Sequence, residues 1–175
     1  MEDTLSKAIT LFKNEDFSSS FKIFQQLAEK GDPIAQYHLG LIYGEGLDVP
    51  EDEEAAMKLY MLSAKQGYAQ AQCIIGMAYS NGYLLPRDYK EATKWFLLSA
   101  TQGDGGAQIC LGVAYAKGQG VPKDIVIAHM WISLSLDQEF NAISQGHLSI
   151  LEDQMSHEQI EMAQTLMREW LAKRN

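Results

Sequence analysis

Apolar residues fall at helical spacing in three stretches of similar length, PIAQYHLGLIYG (33–44), AQAQCIIGMAYS (69–80) and GGAQICLGVAYAK (105–117). Each runs into a glycine-rich turn, then a proline (Pro50, Pro86, Pro122), then an aspartate that opens a second helical stretch. The pattern predicts first helices over 33–44, 69–80 and 105–117, and second helices near 52–66, 88–102 and 124–137. Asp52, Asp88 and Asp124 are placed to cap the second helices, where an acid meets unpaired N–H groups. Gly31, Gly67 and Gly103 stand where a C-cap glycine would end them. Upstream, 16–32 reads as another second helix, preceded by a helix near 3–13. Downstream, Ile160, Ala163, Met167, Trp170 and Leu171 form one apolar stripe, with Glu161, Gln164, Arg168 and Lys173 opposite and capping-box spacing at Ser156 and Gln159.

The three first helices share more than a period. LGLIYGEG at 39, IGMAYSNG at 75 and LGVAYAKG at 111 are offset by 36 residues each time. Ala35, Gln36, Gly40, Tyr43 and Gly46 recur in all three copies. So do Ala56, Leu62, Ser63 and Gln66, the last matched by Gln102 and Gln138. A period of this size marks a solenoid or array. Ser20, Phe24, Ala28 and Gly31 keep the register of Ala56, Tyr60, Ala64 and Gly67, whereas the helix before them does not, as suits an atypical terminal repeat. A glycine inside a helix costs about 1 kcal/mol against alanine. Gly40, Gly76 and Gly112 therefore need a use. The reading adopted is close crossing of paired helices, with small residues on both sides: these glycines and Ala56, Ala92 and Ala128.

A-Q-x-x-L-G-x-x-Y-x-x-G followed by P-x-D-x-x-x-A-x-x-W-x-x-x-S-A-x-x-G resembles the Sel1-like repeat, a relative of the tetratricopeptide repeat. The resemblance runs from about residue 14 to 138. Leu59 departs from it where Trp95 and Trp131 keep the tryptophan, and Asp48 and Leu84 replace the second loop glycine, Gly120. MSHEQIEMAQTLMREWLAK is similar to the terminal helix that often closes bacterial members. The resemblance implies an all-α fold, a right-handed α-α superhelix (solenoid) with C-terminal capping helices. It divides one domain over 1–175 into an N-terminal tetratricopeptide-like repeat (1–32), Sel1-like repeats at 33–68, 69–104 and 105–138, and a cap at 139–175. It implies a non-catalytic protein-binding scaffold whose first helices line a concave face.

Composition narrows the partner. Hydrophobic residues make up 46% and charged residues 21%, an ordinary globular balance. The net charge is -9, from 14 basic and 23 acidic residues, and no basic stripe appears. Nucleic acid and anionic membrane surfaces are disfavoured. No apolar run reaches the roughly 18 residues that span a bilayer. MEDTLSKAITLFKNED lacks a basic n-region and a long apolar core, so the expected compartment is the cytoplasm, or the periplasm if a leader has been removed.

Chemistry is sparse. GLIYGEG lacks the GK[ST] of a phosphate loop, and DVPEDEE lacks the glycine of a calcium loop. Glu51–Glu54 reads as a solvated acidic helix start. His38, His129, His147 and His157 share no metal spacing, and Cys73 and Cys110 form no CxxC. No serine sits in GxSxG, and no S-x-x-K with an S-D-N partner is present. The chain is read as a monomer, no enzyme, with neither metal nor cofactor. Tyr43, Tyr79 and Tyr115 read as a packing ladder.

The frame points one residue per first helix into the concave face: Tyr37, Cys73 and Ile109. One turn on come Leu41, Met77 and Val113, then Glu45, Asn81 and Lys117 at the rim. An apolar floor with a polar edge suits an amphipathic helix or extended peptide of a partner protein. The alternative is a regulator or immunity protein that neutralises a bacterial effector. A hydrolase of β-lactamase type is the weakest reading.

Overall fold

The computed structural model describes residues 4–137 and 141–173. Gln138, the third glutamine of its set, lies outside them. The described residues form ten α-helices and no strand. They are α1 (Thr4–Lys13), α2 (Phe17–Glu29), α3 (Pro33–Glu45), α4 (Glu53–Lys65), α5 (Ala69–Asn81), α6 (Tyr89–Ala100), α7 (Gly105–Lys117), α8 (Ile125–Leu134), α9 (Asn141–Glu152) and α10 (His157–Ala172). A 3-10 turn, Ser135–Asp137, extends α8. The second helices start one residue after the predicted aspartates because Asp52, Asp88 and Asp124 are N-caps, their carboxylates accepting from N–H groups of the first turn. The chain divides into two compact units, Met1–Ile75 and Gly76–Asn175.

In the first unit, one junction is built twice. Gly31 and Gly67 adopt the left-handed conformation just past α2 and α4. Each turn closes as a Schellman motif: Gly31 N–H donates to Ala28 O, and Asp32 N–H to Leu27 O. Asp32 then caps α3 through Ala35 N–H at 2.8 Å, so one residue ends a helix and starts the next. Buried Gln36 reaches back to Ala28 O, and Gln72 to Ala64 O at 3.2 Å. Gln66 completes the set by donating to Gln36 Oε1 at 2.8 Å. Ser63 is fully buried and donates to Pro33 O at 2.6 Å, tying the end of α4 to the start of α3.

The glycine in α3 has a more specific partner than expected. A Cβ on Gly40 would come within 2.7 Å of the Tyr60 ring, so this aromatic lies directly on the helix backbone. Ala56 sits opposite Gly44 instead, at an ordinary 3.4 Å. The close crossing is thus a bulky side chain seated on glycine, and the small–small contact lies one turn along.

His38 is held in an aromatic cage on the same helix. Its ring stacks on Phe24, 4.8 Å between centroids and 9° from parallel, with Phe12 edge-on at 5.1 Å. Its buried Nδ1 has no hydrogen-bond partner among the described residues. Burial first, then Lys13, lowers its pKa from 6.5 to about 4.

The second unit repeats the scheme with changes. Gly76 lies under the Phe96 ring, where a Cβ would approach to 2.6 Å, and Gly112 lies under Ile132. Gln108 reaches Ala100 O at 3.3 Å across the third junction, where Gly103 is again left-handed. Ser156 and Gln159 form the expected capping box at the start of α10. That helix packs on α8, with Trp170 edge-on to Trp131 at 4.9 Å and Ala163 fully buried. The Leu134 position, exposed at Leu98, is buried here.

Two stability predictions follow from these contacts. Gly40→Ala should destabilise by about 1–3 kcal/mol through overpacking against Tyr60. Gly44→Ala should be neutral or gain up to about 1 kcal/mol of helix propensity, and urea unfolding of the pair separates the two effects. For His38, the unfolded chain takes up a proton near pH 6.5 and the folded chain only near pH 4. Stability is therefore full above pH 6.5 and is lost as pH falls toward 4. His38→Phe should remove about 1–2 kcal/mol of that loss, a figure reduced from the full shift for solvent screening. Urea midpoints of both proteins across this window check it.

Candidate binding groove

The second unit contains a cleft of about 320 Å³ between α5, α6 and α7. The first helices supply Met77, Asn81, Ile109 and Val113, four of the positions expected to face a partner. Ala92, Thr93 and Phe96 on α6 close its back, and the small first two leave the space. Gln119 closes one end because its loop is fastened to α6. The Thr93 hydroxyl lies 2.7 Å from Tyr89 O and 3.1 Å from Gln119 O. Gly120 makes this approach possible: its φ is +78°, and a Cβ there would collide with the Tyr89 carbonyl. The second loop glycine is thus a docking point in this copy. In the other two copies, Asp48 and Leu84 hold the same left-handed turn at φ 55°.

A second cavity of about 340 Å³ lies between α7, α8 and α9, lined by Val113, Lys117, Ile125, Ile132, Ile150 and Gln154 among others. Val113 and His147 line both cavities. Met77 is 40% exposed and Ile150 61%, so large apolar groups meet solvent there. Ile109 is only 8% exposed and forms wall rather than rim.

In the first unit, Tyr37 is half-buried, its ring edge-on to Tyr68 at 5.1 Å and tilted against Tyr60 at 6.0 Å. Leu41 is half-buried and Glu45 exposed. Cys73 is 7% exposed and belongs mostly to the core. Cys73 and Cys110 are thiols rather than halves of a disulfide.

Residues on α9 are the part the sequence did not offer. Continuing the 36-residue offset from Ile109 and Val113 lands on Gln145 and Ser149, which face solvent. The cavities are lined instead by His147, Ile150 and Gln154. Without the repeat's glycine and tyrosine frame, α9 packs in a different rotation.

The structure also brings together a serine, a histidine and a carboxylate. His129 is buried, its Nε2 2.9 Å from Glu152 Oε1 and its Nδ1 3.2 Å from Ser133 Oγ. All three line a cavity of about 300 Å³ with Leu148, Gln164 and Met167. The hydrogen-bond order Ser–His–Glu is that of a nucleophile and base, a pairing not legible in the sequence. Ser133 nevertheless sits inside α8, where backbone N–H groups are committed to the helix and offer no oxyanion hole. The cluster joins α8 to α9, and a second bond between Ser135 and Ser144 at 2.7 Å does the same. Among the described residues no group of three His, Cys, Asp or Glu could hold a metal ion. No described helix is long and apolar enough to cross a membrane.

Comparison with known proteins places these features. The model of the Sel1 repeat matches residues 33–68, 69–104 and 106–140, more than half of the chain. A crystal structure of a Sel1 repeat protein from Oxalobacter formigenes is 32% identical, with a TM-score of 0.68, over 75% of this chain and 38% of that one. A protective antigen of uropathogenic Escherichia coli displaying an SLR fold is 22% identical, with a TM-score of 0.56, over 97% of this chain and 53% of that one. The chain therefore spans about half or less of either relative's length. No curated protein matches it in sequence.

Removing Glu152 should loosen α9. Glu152→Ala leaves the buried His129 Nε2 unpaired, at about 1–3 kcal/mol. Amide exchange across 144–151 should quicken while α3 and α4 stay protected.

Proposed function

Because the chain belongs to the Sel1 repeat family, whose members act in general as protein-interaction scaffolds, we propose that it is a non-catalytic adaptor holding a segment of a partner protein. The observation that carries this reading is the run of first-helix side chains into two adjoining cavities in the second unit. The floor is apolar, from Met77, Ile109, Val113 and Ile150, and the edge is polar, from Asn81, Lys117 and Gln154. A helix or extended peptide docks in a groove of that kind through a few buried anchors. Met77 supports this, since a flexible thioether adapts to differing side chains. In the first unit, Tyr37, Leu41 and Glu45 are the corresponding contact candidates. Cys73 stands behind them as support. A role in neutralising an effector would use the same face.

Leu41→Asp combined with Met77→Asp tests the reading. Both sites keep solvent exposure, so the double variant should remain helical by circular dichroism. It should lose at least tenfold of its capture of native partner in affinity purification. Undiminished capture by the folded variant would sink the assignment.

A further inference from the structure

We propose that the cavity between α8, α9 and α10 is a binding site for a small primary ammonium compound with an unbranched aliphatic body, its nitrogen held by Glu152, Ser133 and Gln164. The site is separate from the groove, since none of its lining comes from a first helix. Two of its three walls, α9 and α10, lie outside the 36-residue pattern, so the site belongs to this chain rather than to the repeat.

The polar wall is organised by a histidine that the ligand does not need to reach. His129 is 3% exposed, and both ring nitrogens are occupied, Nε2 by Glu152 Oε1 at 2.9 Å and Nδ1 by Ser133 Oγ at 3.2 Å. With Nε2–H donating to the carboxylate, a neutral ring has Nδ1 left to accept from the Ser133 hydroxyl. The ring therefore takes up the serine proton and one carboxylate oxygen. What remains for a ligand is acceptor: the Ser133 Oγ lone pairs and Glu152 Oε2, which makes no bond among the described residues. The Gln164 side-chain amide, on α10, likewise makes none there, and its oxygen is a third acceptor. The Glu152 side chain is 46% exposed, so the carboxylate is open to a ligand arriving from solvent. No lysine or arginine lines the cavity to neutralise it.

That wall selects the ligand's head. A primary ammonium brings three N–H donors and one positive charge to three acceptors, one of them a carboxylate. An anionic head would meet Glu152 with no cation to offset it. An alcohol brings one donor and no charge. A quaternary ammonium has no N–H and is held by aromatic faces, and no phenyl, phenol or indole ring lines this cavity. The remaining lining selects the body. Leu134, Leu136, Leu148, Met167 and Leu171 are all aliphatic. A volume of about 300 Å³ stands at the lower end of small-molecule pockets, which suits a short chain rather than a folded segment or a fused ring system.

Titrating n-hexylammonium into the full protein, labelled at its leucine and methionine methyls for NMR, tests the proposal. Saturable shifts should appear at Leu148, Met167 and Leu171 while Leu39 in α3 stays unmoved. n-Butylammonium, two methylenes shorter, should bind about tenfold more weakly. Hexanol and hexanoate should each bind at least tenfold more weakly than hexylammonium. Glu152→Gln keeps an acceptor for His129 Nε2–H but removes the charge, so it should bring hexylammonium down to the level of hexanol. Should the free spectrum show that this variant has loosened α9, Gln164→Leu, at an exposed position on α10, carries the test and should weaken hexylammonium at least threefold. The site falls if no saturable shift reaches these methyls by about 10 mM. It falls equally if hexanol, hexanoate or hexyltrimethylammonium binds as tightly as hexylammonium, or if a folded Glu152→Gln or Gln164→Leu variant keeps full affinity. Equal binding of Nα-acetyl-lysine N-methylamide would replace the free compound with a protein's lysine and overturn the proposal as stated.

Discussion

A buried glutamine at the start of each first helix is the contact on which the rest of the structure depends. Helices end with carbonyls that have no partner within the helix. At these junctions the turn glycine donates its N–H to one such carbonyl, on Ala28, Ala64 and Ala100. Gln36, Gln72 and Gln108 each send a side-chain amide back eight residues as a second donor to the same carbonyl. The bond ties the start of each first helix to the end of the helix before it. Alanine at the carbonyl position keeps the approach open, and a left-handed glycine three residues on turns the chain. Ala35 and Ala107, completely buried beside these glutamines, show how little room remains.

The second constraint is the ring on glycine. Tyr60 on Gly40 and Phe96 on Gly76 replace a conventional ridge-and-groove contact with backbone against an aromatic face. The helix forgoes propensity and gains burial of a large side chain that no Cβ could allow. Where Ile132 takes the place of the aromatic on Gly112, the same close approach survives with an aliphatic partner. The contact is therefore about space rather than aromaticity.

At the C-terminal end the pattern loosens and polar bonds take over. The positions of Met57 and Thr93 become His129, and those of Met61 and Leu97 become Ser133. These substitutions let α8 hold α9 through Glu152, while Trp131 and Leu134 receive α10. A face that stays solvated on α6, at Leu98, is covered on α8. Helix α10 thus covers that face of α8, and α9 adds a wall to the groove.

The amino-acid pattern alone determined the helices, their caps, the glycine turns and the family, because each rests on local chemistry repeated three times at one offset. An aspartate before a helix, a glycine after it and an apolar stripe along it mean the same thing in every copy. It also pointed to Met77, Asn81, Val113 and Lys117 as surface on one side of the first helices. Only the tertiary structure decided that Gly40 faces Tyr60 rather than Ala56, since opposing positions depend on how two helices slide and cross. Only it decided that His147 and Ile150 line the cavities, because α9 has no repeat frame and its rotation is set by what it packs on. The same holds for Ser133, His129 and Glu152, which are far apart along the chain and meet through packing alone.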